Sequence, residues 1–82
     1  MELQLLYFAA LRDRVGKSEE SLVLGEPEVT VTDLLALLER RHPGLKGCLG
    51  GVRVAVNECF AEAAESIRSG DVVALIPPVA GG

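Results

Sequence analysis

The sequence predicts an α+β two-layer domain, one long helix laid across one face of a mixed β-sheet. Three observations carry this. Alternating apolar residues open the chain at Glu2–Phe8 and recur at Val52–Asn57. One stretch, Asp33–His42, has helical spacing and both helix-end signals. A third, Val72–Ile76, is apolar throughout and short, as a strand in the interior of a sheet would be.

The elements follow in order. In Glu2–Phe8, Leu3, Leu5 and Tyr7 share one face and Gln4, Leu6 and Phe8 the other. Ala9–Val15 is made of good helix formers, and Gly16 stands where a glycine closes a helix in the left-handed conformation. Glu20–Leu24 is a second strand, paired with the first and closed by Gly25-Glu26-Pro27. Thr32 is the expected N-cap of the Asp33–His42 helix, with Asp33 in its first turn and Arg40 and Arg41 in its last, as the helix dipole favours. Leu34, Leu37, Leu38 and Arg41 form its apolar stripe, Arg41 through its aliphatic stem, and Pro43-Gly44 stops it. LKGCLGG is a loop. Asn57-Glu58 is a turn, Cys59–Ala61 a short return strand, and Ala63–Arg68 no more than a helical turn. Ser69-Gly70-Asp71 turns the chain into Val72–Ile76, which belongs inside the sheet beside the first strand. Pro77 cannot donate to a ladder and ends it. A hairpin, a crossover helix and further strands are the order of the ubiquitin-like β-grasp, here with four to five strands on one main helix.

With 82 residues, 49% of them hydrophobic, the chain is expected to form a single domain, 1–82, whose residues 77–82 are an extended, flexible tail. Its only aromatics are Tyr7, Phe8 and Phe60, so the core rests on Leu, Val and Ala. A net charge of −4 disfavours nucleic acid and favours a basic partner on encounter. No apolar run approaches a membrane span, and the acidic start lacks the basic region of a secretory signal, so a cytoplasmic protein is expected. Cys48 and Cys59 form no CxxC and read as buried small residues in a reducing compartment.

Catalytic motifs fail on spacing. Gly16-Lys17-Ser18 resembles the end of a phosphate loop, but position 11 is Leu where that loop needs Gly. The glycines from Gly44 to Gly51 make turns. His42, the single histidine, suits the C-terminal end of a helix, and no ligand cluster or nucleophile–base pair is visible. No catalytic site, bound cofactor or metal is expected.

Two features remain. If Leu3, Leu5, Val73 and Leu75 face the helix, Phe8 and Ile76 point outward as neighbours, with Phe60 joining them if the return strand's register allows. Such a patch marks a protein interface, unless the short helix covers it. The other feature is the tail. Pro77-Pro78 forces an extended exit, Val79 and Ala80 suit a narrow groove, and Gly81-Gly82 can enter a slot too tight for any side chain, bringing the terminal carboxylate to a reactive centre.

YFAALRDRVG, VAVNE and SGDVVALIPPVAGG together resemble the small, sulfur-carrying subunit of molybdopterin synthase, over essentially the whole chain. That resemblance implies that Gly82 is adenylated by an ATP-dependent ubiquitin-activating-like enzyme and then converted to a thiocarboxylate with sulfur from a persulfide donor. It implies that Gly81 fits the slot and that the tail donates sulfur to cyclic pyranopterin monophosphate inside the large subunit, in a heterotetramer. Phe8, Phe60 and Ile76 match the family's docking patch, with Pro77, Pro78, Val79 and Ala80 as tail contacts. Arg12 has two readings, a pair for an acidic partner residue or a solvated helix arginine. Leu75-Ile76 stands where the family commonly has aromatics. A carrier for another thio-cofactor such as thiazole, a ubiquitin-like protein modifier and an interaction domain with an inert tail are the competing readings.

Overall fold

The computed structural model describes residues 1–78. Glu2–Tyr7 (β1), Glu19–Val23 (β2), Arg53–Val56 (β4), Cys59–Phe60 (β5) and Val72–Ile76 (β7) form one sheet in the order β2-β1-β7-β4-β5. Glu28–Thr30 (β3) and Ser66–Arg68 (β6) pair separately. A short helix, Ala10–Val15 (α1), follows β1, and the main helix, Val31–Arg41 (α2), packs on one face of the sheet. The sheet is mixed: β1 runs parallel to β7, while its pairing with β2, and that of β4 with β7 and with β5, is antiparallel. The apolar β7 lies in the centre of the sheet, where Val73 and Leu75 are buried under α2 while Val72, Ala74 and Ile76 face the opposite side.

The core forms where the predicted alternation meets the predicted stripe. Leu3, Leu5 and Tyr7 of β1, Leu22 of β2, Val54 of β4 and Val73 and Leu75 of β7 are buried against Leu34 and Leu38 of α2. Burying each such side chain stabilises by about 1.5–3 kcal/mol, so this face determines how the sheet meets the helix.

Three expectations are corrected. The N-cap of α2 is Thr30, not Thr32: Thr30 is extended, and its hydroxyl accepts a hydrogen bond from the Asp33 amide at 3.1 Å. Both threonines suit the role chemically. Starting at Val31 buries that side chain, and Thr32 is released to donate to the Ala63 carbonyl at 3.0 Å. Ala63–Arg68 is not a helical turn throughout. A turn at Glu62–Glu65 gives way to β6, whose Ile67 is fully buried opposite Val29. The partner strand β3 is short and follows Pro27, so neither strand has a local signature. Cys59 is not buried. It lies exposed on the edge strand β5, Cys48 is half-buried, and both are free thiols.

Local chemistry explains the remaining joints. Gly16 adopts φ 90° and closes α1 as expected. Asn57 and Glu58 both take positive φ, as a two-residue hairpin turn requires. The Asn57 side chain accepts from the Val72 amide and donates to Asp71, each at 2.9 Å, tying that turn to the start of β7. Gly44 lies against α1: a Cβ there would come within 2.5 Å of the Arg14 carbonyl oxygen.

Candidate functional site

The face of the sheet away from α2 carries a groove of about 480 Å³, lined by Leu6, Phe8, Ala55, Asn57, Glu58, Phe60, Val72, Ala74 and Ile76. Strand register builds it. Leu6 pairs with Ala74, Ala74 with Ala55, and Ala55 with Phe60, so one row across β1, β7, β4 and β5 reads large-small-small-large. The two alanines make a floor, and Leu6 and Phe60 make walls. The next row toward the C-terminal end of β7 carries Ile76 opposite Arg53, with Phe8 just beyond the end of β1. Phe8 is 46% exposed and Phe60 59% exposed, so α1 leaves this face open. Such apolar surface on a small domain is costly to leave in water.

The structure brings Phe8, Phe60 and Ile76 together around this groove, with β5 in the register that puts Phe60 beside Ala55. The chain leaves the same edge through Pro77, half-buried, and Pro78, exposed. Val79, Ala80, Gly81 and Gly82 lie outside the described residues. Arg12 is exposed on α1 and forms no ion pair among the described residues. Sequence reasoning missed Leu6, Ala55, Val72 and Ala74 as parts of the site. The signal was present, because each alternates with a core residue, but small or aliphatic side chains attract no notice until register aligns them.

Behind the groove, at the end of β1, lies a buried polar cluster that the sequence did not announce. Glu20 of β2 is 8% exposed, and the Tyr7 hydroxyl donates to its Oε1 at 2.5 Å. His42 Nε2 lies 2.5 Å from the same oxygen, Arg41 3.5 Å and Lys17 3.7 Å from Oε2. Burial pushes the Glu20 carboxyl up, but the hydrogen bonds from Tyr7 and His42 and the charges of His42 and Arg41 outweigh it and hold the carboxyl below its ordinary value. Burial, then the hydrogen bond to Glu20 and its charge, push the Tyr7 phenol well above its own. His42 therefore holds Glu20 and packs edge-on against Tyr7, beyond the helix-end role expected of it. The cluster locks the residue before Phe8 and so fixes where Phe8 emerges. Among the described residues no group of His, Cys, Asp and Glu could hold a metal ion, and no helix is long and apolar enough to cross a membrane.

A five-stranded mixed sheet on one main helix, with an open apolar groove beside the strand that carries the chain to its C-terminal segment, defines the ubiquitin-like β-grasp class. The chain belongs to the ThiS family, which matches residues 5–82. It is 36% identical over 84 residues to the molybdopterin synthase sulfur carrier subunit of Chlamydomonas reinhardtii, covering all of both chains. Among solved structures it resembles SAMP1 of Haloferax volcanii, a small archaeal modifier protein, with a TM-score of 0.87 and 28% identity over the whole of both chains. It also resembles a chain in the complex of subunits 1 and 2 of the molybdopterin-converting factor of Helicobacter pylori, with a TM-score of 0.70 and 25% identity over the whole of both chains.

Proposed function

We propose that this chain is the sulfur carrier subunit of molybdopterin synthase, and that its C-terminal glycine, Gly82, carries the sulfur. The observation that carries this reading is the apolar groove of Phe8, Phe60 and Ile76 at the root of the segment that ends in Gly81-Gly82. Docking through the groove fixes the body of the chain, and the residues after Pro78 then reach a neighbouring active site. The likeness to named sulfur carrier subunits supports the same reading.

The chemistry follows from the weakness of a free carboxylate as an electrophile. Attack of a Gly82 carboxylate oxygen on the α-phosphorus of ATP releases pyrophosphate and leaves an acyl-adenylate. A persulfide sulfur displaces AMP, and a thiol cleaves the resulting acyl persulfide, leaving a thiocarboxylate and a disulfide on the donor. The thiocarboxylate then gives its sulfur to cyclic pyranopterin monophosphate in the large subunit, and two such deliveries make a dithiolene. Gly81 leaves the approach to the carbonyl free of side chains. The activating enzyme, the persulfide donor and the large subunit are the partners. The assembly is a heterotetramer, two small subunits at opposite ends of a large-subunit dimer, in the cytoplasm. The groups that activate Gly82 and accept its sulfur belong to those partners, and this chain contributes the carrier and its docking face.

The intact mass of the protein purified from its own cells tests the reading. A gain of about 16 Da, one oxygen exchanged for sulfur, that disappears when Gly82 is deleted is the expected result. The likeness to SAMP1 favours one second reading, a protein modifier. An unmodified mass accompanied by other proteins linked through Gly82 would establish that reading and overturn the carrier.

A further inference from the structure

Arg53 opens β4 opposite Ile76, at the end of the groove from which Pro77 and Pro78 leave. Its guanidinium carbon lies 3.9 Å from the centre of the Phe60 ring. Lys17 and Arg41 face Glu20, and Arg68 faces Glu28, but among the described residues no carboxylate stands within ion-pair distance of Arg53. Glu58 lines the same groove and does not reach it. The side chain is thus a cation over an aromatic wall, with no carboxylate partner among the described residues.

A partner that covers this groove takes that charge out of water. A buried cation without an acceptor loses its hydration with nothing to replace it. The guanidinium sits over the Phe60 ring, and its planar fork suits a bidentate acceptor. We infer that Arg53 determines the specificity of the docking face: the large subunit presents a carboxylate to the guanidinium edge, beside an apolar side chain seated over Ala55 and Ala74. The inference rests on the docking reading above and adds the partner's chemistry. The chain carries a net charge of −4, so a carboxylate is the group its surface otherwise repels. An acidic side chain is then tolerated at one point of the interface, which sets its register and places the exit of Pro77 and Pro78 against the partner.

The test is calorimetric binding of the whole chain to the large synthase subunit, at low and high salt, for wild type, Arg53→Gln, Arg53→Lys and Phe60→Ala. Arg53→Gln should weaken binding on the order of 10- to 100-fold and flatten its salt dependence. Arg53→Lys should keep the salt dependence and recover only part of the affinity, because a point charge lacks the fork. Binding of Arg53→Gln within about twofold of wild type, with Phe60→Ala impaired, would overturn the inference and leave the docking reading standing. So would a loss in Arg53→Gln with wild-type salt dependence, which would make Arg53 a prop for Phe60. Normal binding by both Arg53→Gln and Phe60→Ala would remove the docking reading and this inference with it.

Discussion

Truncating Phe60 to alanine separates docking from folding. The side chain is 59% exposed, at the outer wall of the groove on a two-residue edge strand. A phenylalanine offers about 200 Å² to bury, so the exposed part is about 120 Å², worth about 3 kcal/mol at 25 cal/mol per Å² if docking covers it. The dissociation constant for the large subunit should therefore rise on the order of 100-fold. The part already buried is smaller and sits at the sheet's edge, so unfolding stability should fall by no more than about 2 kcal/mol. Titration calorimetry against the large subunit measures the first quantity and urea denaturation of the free chain the second. An affinity within about twofold of wild type, with the stability loss as stated, would refute the claim that this groove is the docking face.

Two further predictions concern the scaffold. Glu20→Gln removes the buried charge that Tyr7, His42 and Arg41 surround, and should cost about 2 kcal/mol at neutral pH. Because the folded-state carboxyl titrates below its ordinary value of 4.5, its stabilisation is present above that pH and lost as pH falls through the lower, folded value. Denaturation midpoints measured from neutral to acid should accordingly fall less steeply in Glu20→Gln, and parallel curves would contradict the assignment. Gly44→Ala places a methyl group 2.5 Å from the Arg14 carbonyl oxygen, a backbone atom that cannot move aside cheaply. It should cost about 1–3 kcal/mol in thermal melts, whereas Gly50→Ala, with open space at its Cβ, should stay within about 0.5 kcal/mol.

The elements that sequence made legible are those with a strong internal period. Leu3, Leu5 and Tyr7 against Gln4, Leu6 and Phe8 gave both faces of β1, and the Leu34–Leu38 spacing gave the buried side of α2. The missed elements have no such period. β3 and β6 are three residues each, and they exist as strands because Val29 and Ile67 meet across a long sequence separation. The choice between Thr30 and Thr32 as cap was likewise settled by the burial of Val31, a tertiary term that local propensity does not contain.

What the sequence determined by itself is the class of fold and the outward direction of Phe8 and Ile76, because alternation along a strand is a local property of the backbone. The restricted φ of Pro77 and Pro78 is equally local, set by the ring of each proline. The groove was decided only by tertiary structure. Ala55 and Ala74 become a floor, Phe60 a wall and Arg53 a cation over that wall only once β4, β5 and β7 are hydrogen-bonded in register, and register joins residues that no local pattern connects. The Glu20 cluster has the same origin: Tyr7 comes from β1, Lys17 from the turn before β2, and Arg41 and His42 from the end of α2, and only the packing of α2 beside the β1–β2 edge gathers them around one carboxylate.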